Sequence, residues 1–228
     1  MKKQILVLLA IISTSFTGFS QDCSAFYPFE EGISFQVTNY DKKGKIVAVT
    51  DHTVKAITTS GGDATATINS LVKDKKGETI TDGEYEIVCA GNEVSIDVKS
   101  LMNPTLFDQF EGMETNITGT NVVIPNDLSV GQTLPDASMT MDIDMGGINM
   151  SMNVMMTDRT VDGLETITTA AGSFECYVIS YTSNIKMGMN RTGKAKQWLA
   201  KGVGMVKQED YNKKGKLTGT SVLTEFSN

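Results

Sequence analysis

A single histidine, His52, is all that this chain of 228 residues contains, and most other signatures of catalysis are missing too. His52 sits in the strand-like run TDHTVKAI with Asp51 beside it. Neighbours on a strand point to opposite faces, so the two do not form a ready dyad. No Gly-x-Ser-x-Gly elbow is present to present a nucleophilic serine. The three cysteines, Cys23, Cys89 and Cys176, lack Cys-x-x-Cys spacing, which removes the usual zinc and thiol-redox patterns. Gly202 and Gly204 do not open a helix, so they do not form a phosphate loop. Carboxylates come in ones and twos. Asp142 and Asp144 with Asn149 have the oxygen chemistry for calcium, but a solvated hairpin face accounts for them more simply. No catalytic residue, metal or cofactor is therefore expected.

Long apolar runs are also absent. The opening MKKQILVLLAIISTSFTGFSQDC carries two lysines, an apolar run from Ile5 to Ile12 and small residues at Gly18 and Ser20. That is the pattern of a secretory signal, expected to be cut between Ser20 and Gln21. The run is too short to span a bilayer, and no later stretch is long enough to form a transmembrane helix. Ser20-Gln21-Asp22 before Cys23 is not the small apolar context that lipidation requires. Basic charge is in deficit as well. Without residues 1–20, 18 basic side chains face 27 acidic ones, a net charge of −9. This argues against nucleic acid and against anionic membrane surfaces as partners. Residues 21–228 suffice for one domain. In an exported chain three cysteines imply one disulfide and one spare thiol. Cys23 with Cys89 is the expected pair, since an N-terminal arm needs tying down, and Cys176 is then a buried free thiol.

Helical periodicity is nearly absent, and what remains is β texture. Short runs rich in Val, Ile, Thr, Tyr and Phe are separated by Gly, Asn and Asp from GISFQVTNY to KLTGTSVLTEF. About a dozen hairpin-spaced strands follow from this, and βαβ units are not expected. One segment differs. In VKSLMNPTLFDQFEGM, Leu101, Leu106, Phe107 and Phe110 fall near helical spacing, and Pro104 suits a first turn. A short helix over 104–112, lying on or plugging the sheet, is expected. IPNDLSVGQTLPDA, 124–137, reads as a loop between two sets of strands.

Two stretches stand out. YDKKGK at 40–45 recurs as KDKKGE at 73–78 and as YNKKGK at 211–216. Asp or Asn suits the first position of a type I turn and Gly the fourth, so the phrase is read as hairpin chemistry with lysines at tolerant tips. Three separate lysine pairs in an acidic chain make a weak binding patch. The second stretch is MTMDIDMGGINMSMNVMM, 139–156. Met139, Met141, Ile143 and Met145 alternate with polar residues, as do Ile148, Met150, Met152 and Val154, around a Gly146-Gly147 turn. The simplest reading of this thioether face is core, filled by an adaptable side chain. The second is the lining of a cavity for an apolar ligand. The third is a Cu(I) site, which Ile143, Ile148 and Val154 interrupt.

GSFECYVISY, 172–181, followed by WLAKGVGMVKQE, 198–209, resembles exported β-rich proteins of the TapB or domain-of-unknown-function 3108-like group. The entry FYPFEEGISFQVTNYDKKGK and the loop IPNDLSVGQTLPDA are similar to theirs as well. The resemblance implies an antiparallel, strongly curved sheet of the half-barrel kind, exported by a Gram-negative bacterium to the periplasm or beyond. It transfers no functional residues. Phe174, Cys176 and Val178 are expected to share one inward face, Trp198 to anchor the next strand, and Gly202 and Gly204 to allow a bend.

The resulting expectation is an all-β protein. A single antiparallel, strongly curved sheet would form an open or half-closed barrel with one short helical segment. The expected role is non-catalytic: binding of an acyl or lipid-like ligand by Met139, Met141, Met150, Met152, Phe107 and Phe110. The leading alternative is a cell-envelope structural or assembly protein that binds another protein. A hydrolase or a methionine-rich copper protein stands third.

Overall fold

The computed structural model describes residues 24–97, 114–144 and 149–227. The expected helix over 104–112, with Phe107 and Phe110, lies outside these residues, as do Cys23 and the Gly146-Gly147 turn. No helix occurs among the described residues.

Thirteen strands form one antiparallel sheet. In chain order they are β1 (Ser34–Asp41), β2 (Ile46–Ser60), β3 (Asp63–Asp74), β4 (Thr79–Ala90), β5 (Glu93–Ile96), β6 (Glu114–Thr120), β7 (Val122–Pro125), β8 (Ala137–Asp144), β9 (Asn149–Thr169), β10 (Gly172–Met187), β11 (Met189–Ala200), β12 (Gly204–Asn212) and β13 (Leu217–Ser227). The spatial order is β6-β8-β9-β10-β11-β12-β13-β1-β2-β3-β4-β5-β7. Most neighbours are hairpin partners, as the Gly- and Asn-punctuated sequence requires. The long-range exception is β13 on β1, which joins the C-terminal strand to the first one.

The two end strands of this order are consecutive in sequence, separated only by Asn121. β6 pairs with β8, and β7 pairs with β5. One extended stretch therefore changes partners midway and draws the ends of the sheet together into a nearly closed barrel with a single seam. At the change-over, Ser138 N donates to Thr120 Oγ1 at 3.0 Å, and Asn121 Nδ2 donates to Ser95 Oγ at 3.0 Å. The expectation of a curved, half-closed barrel is met, and closure goes further than half.

Alternation along the strands creates two apolar clusters. On β10, Tyr177, Ile179 and Tyr181 join the main cluster inside the barrel, while Cys176 and Val178 join a second with Trp198, Ala200, Val206 and Leu223. Phe174 is partly buried against this second cluster. The face shared by Phe174, Cys176 and Val178 is thus real, but it is the face opposite the methionine wall. The distal half of β9 contributes Ile167 to it.

Residues 24–33 cross one end of the barrel. Ala25 N donates to Asn126 Oδ1, Gly202 N donates to the Ala25 carbonyl, and Gly32 N donates to the Val54 carbonyl, each at 2.9 Å. Phe26 is fully buried and meets Tyr177 edge-on at 5.7 Å. Gly204 allows this crossing. Its φ is +92°, and a Cβ there would lie 3.0 Å from the Tyr27 ring.

Candidate functional site

The methionine stretch forms the β8–β9 hairpin with the expected alternation. Met139, Met141 and Met152 are 0% exposed, and Ile143 and Val154 are buried beside them. Met150 is only partly buried. Register places Ile117, Met141 and Met152 in one row across β6, β8 and β9, with Ile143 opposite Met150 in the next row towards the hairpin end. On β10, Ile185, which pairs with Val154, and Met187 beyond it are also partly buried. Three of the four predicted methionines are therefore core, and only Met150 stands at an accessible edge. Met155, on the opposite face, is exposed.

Deeper in the barrel the wall becomes polar around Arg159, a residue that sequence alternation misses. Thr157 pairs with Thr182 and Thr160 with Ser180, so Asp158 and Arg159 together stand opposite Tyr181. Asp158 takes φ +55°, the one positive value among described non-glycine residues. This bulge reverses the alternation of β9 and turns Arg159 inward, where it is 1% exposed. Arg159 Nη1 donates to the carbonyls of Pro135 at 2.6 Å and Val123 at 3.1 Å. Its Nε has no hydrogen-bond partner. Burial lowers the Arg159 pKa, opposed by Tyr181, Tyr27 and Asp136. Tyr27 and Tyr181 are held protonated, chiefly by burial.

His52 faces inward as well. Its ring stacks on Phe35 at 4.6 Å and meets Tyr85 edge-on at 5.9 Å. Burial lowers its pKa to about 4, with Asp51 opposing. Asp51 points to the other face, where it accepts from Gln36 Nε2 at 2.9 Å and pairs with Lys73 at 2.8 Å. The structure thus separates the two, as strand geometry demands. The contacts of the His52 ring are aromatic, and its Nδ1 lies 3.4 Å from the Tyr85 hydroxyl.

Cys176 is buried and free, and burial, then Glu165, pushes its thiol pKa up to about 11. Trp198 Nε1 donates to Glu165 Oε2 at 2.7 Å, and Lys207 Nζ lies 4.7 Å above the Trp198 ring. These contacts fasten β9, β11 and β12 to one another, which is an anchoring role for Trp198. A surface depression of about 500 Å³ lies beside this region, between Leu164, Phe174, Tyr177 and Lys201.

A nearly closed antiparallel barrel with a largely apolar interior, crossed at one end by residues 24–33, defines a class of β-barrel domain. The chain belongs to the DUF3108-like family, whose model matches residues 30–223. It shares its fold with a protein from Bacteroides fragilis described as exported and YmcC-like. That structure has 22% identity and a TM-score of 0.78, with 90% of this chain and 100% of that one covered. A protein from Parabacteroides distasonis described as a lipoprotein is equally similar. It shows 24% identity, a TM-score of 0.78, and coverage of 91% of this chain and 100% of that one. No curated protein matches the chain.

Proposed function

We propose that this is an exported, non-catalytic envelope protein that takes the apolar part of a lipid-like molecule into its barrel at the rim of the methionine wall. In this reading residues 1–20 direct export and are removed. The description of both similar structures as exported or lipoprotein supports this part. The observation that carries the binding part is the gradient along β8 and β9. Met139, Met141 and Met152 are dry, whereas Met150, one row nearer the hairpin end and opposite Ile143, is only partly buried. Thioether side chains repack at low cost, so a wall built from them can part for an acyl chain without losing its fold. Cys23 bonded to Cys89 would fix the arm that plugs the other end. Ala25 is held by Asn126, whose own N–H donates to the Asn92 carbonyl at the β4–β5 turn beyond Cys89.

The test is native mass spectrometry of the mature protein from a bacterial periplasm, together with titration by a fluorescent long-chain fatty acid. A bound acyl mass and saturable binding, weakened at least tenfold in Met150→Asp while the circular dichroism is unchanged, is the expected result. A bare polypeptide with no saturable probe binding would reject this reading and leave the methionines as core.

A further inference from the structure

The three lysine-lysine-glycine phrases are far apart in sequence, yet strand order makes them neighbours. The spatial run β12-β13-β1-β2-β3-β4 contains three successive hairpins, and their turns at 212–216, 41–45 and 74–78 all lie at the same end of the barrel. Asp41 stands opposite Gly219, and Ala48 opposite Asp74, which fixes the common end. Strand spacing sets adjacent turns about 10 Å apart along the rim.

All three turns are built alike. The Oδ1 of Asp41, Asp74 or Asn212 accepts from the N–H groups two and four residues on, at 2.8 to 3.1 Å. Gly44, Gly77 and Gly215 supply φ of +73°, +86° and +73°. This chemistry uses the Asp or Asn and the Gly. The two positions between are exposed and open to any polar residue. Folding does not require lysine there, but lysine occupies all six.

The consequence is a concentration of positive charge on three adjacent turns. The three turns hold eight of the 18 basic residues beyond residue 20 against three acidic ones, a local charge of +5. The rest of that chain then carries −14. Apolar side chains stand among the lysines. Ile46 and Leu217 follow the first and third turns directly, 46% and 37% exposed, and Met189 on the neighbouring β10–β11 turn is 72% exposed.

We propose that this end of the barrel docks on an anionic phospholipid surface, with the lysines among the headgroups and Met189, Ile46 and Leu217 dipping between them. Separate apolar residues on separate turns suit a headgroup layer, whereas a protein partner calls for one contiguous apolar centre. The whole-chain charge opposes adsorption to an anionic surface, so such binding needs the local excess of lysine at this rim.

The experiment is flotation of the mature protein with vesicles of equal parts phosphatidylglycerol and phosphatidylcholine, compared with phosphatidylcholine alone. The variants Lys42→Ser/Lys43→Ser, Lys75→Ser/Lys76→Ser and Lys213→Ser/Lys214→Ser, singly and combined, keep the turn residues and so keep the fold, checked by circular dichroism. Binding to the anionic vesicles alone is expected, falling about thirtyfold per lysine pair and falling with added salt. Met189→Ser should lower it further without changing the salt dependence. Equal partition into both vesicle types, or full binding by the combined lysine variant, would overturn the proposal. Saturable binding of polyglutamate without binding to vesicles would overturn it in favour of an acidic protein partner.

Discussion

Arg159 on β9 donates a hydrogen bond across the seam to the carbonyl oxygen of Val123 on β7, at 3.1 Å. In the order of the sheet these strands lie near opposite ends. Backbone pairing closes the barrel only through the β6–β7 stretch, and the guanidinium ties the closing strand down from the inside. The same Nη1 holds Pro135 in the loop that precedes β8.

Replacing Arg159 by Ala should therefore loosen the seam more than an average buried substitution does. It leaves two carbonyls without their donor and opens a cavity, costing about 3 to 5 kcal/mol. Arg159→Met fills most of the volume and should cost only about 1 to 3 kcal/mol. Urea unfolding measures both. Equal midpoints for Arg159→Ala and the parent protein would show that the bridge contributes nothing.

His52 makes stability depend on pH in a definite direction. Its folded pKa is about 4, against 6.5 when free. Between these values the unfolded chain binds a proton that the native protein refuses. The stabilisation is thus complete above pH 6.5 and is lost as the pH falls towards 4, by about 3 kcal/mol in all. Acid unfolding of His52→Phe should lack this component. Superimposable pH profiles for the two proteins would count against a buried neutral imidazole.

The cysteines can be sorted by labelling. With a raised pKa and no exposure, Cys176 should resist alkylation in the native protein. After denaturation without reductant it should be the only cysteine modified. Peptide mapping that finds Cys89 alkylated under those conditions would exclude a bond to Cys23.

Gly204 tests the plugged end. Alanine there meets the Tyr27 ring at 3.0 Å and keeps a backbone at φ +92°, so Gly204→Ala should cost about 1 to 3 kcal/mol. Gly202→Ala, also at positive φ but with nothing within 4 Å, carries the backbone penalty alone. The difference between their unfolding midpoints isolates the Tyr27 contact. No difference would mean that the arm gives way freely.

Much of this barrel is legible in the chain. Period-two alternation in SMTMDIDM puts Met139, Met141 and Ile143 on one face, and all three are buried. Asp-Lys-Lys-Gly and Asn-Lys-Lys-Gly read directly as turns, with the bonds of that turn present at all three sites. The opposite faces of Asp51 and His52 follow from strand geometry alone. The thioether face did not reveal how dry it would be, because burial depends on what packs opposite and not on the strand itself. Arg159 was invisible for a sharper reason. A one-residue bulge inverts the alternation, so a side chain that the pattern assigns to solvent lies inside.

The strands, their turns and the side chains that share a face follow from the order of residues alone, because these depend on contacts between near neighbours along the chain. The pairing of β13 with β1, the change of partners at Asn121 that draws the barrel together, and the gathering of three distant lysine turns on one rim are visible only in the folded chain. Those are choices among strand orders that local propensity leaves equal in energy, and they are settled by which arrangement buries the two apolar faces together.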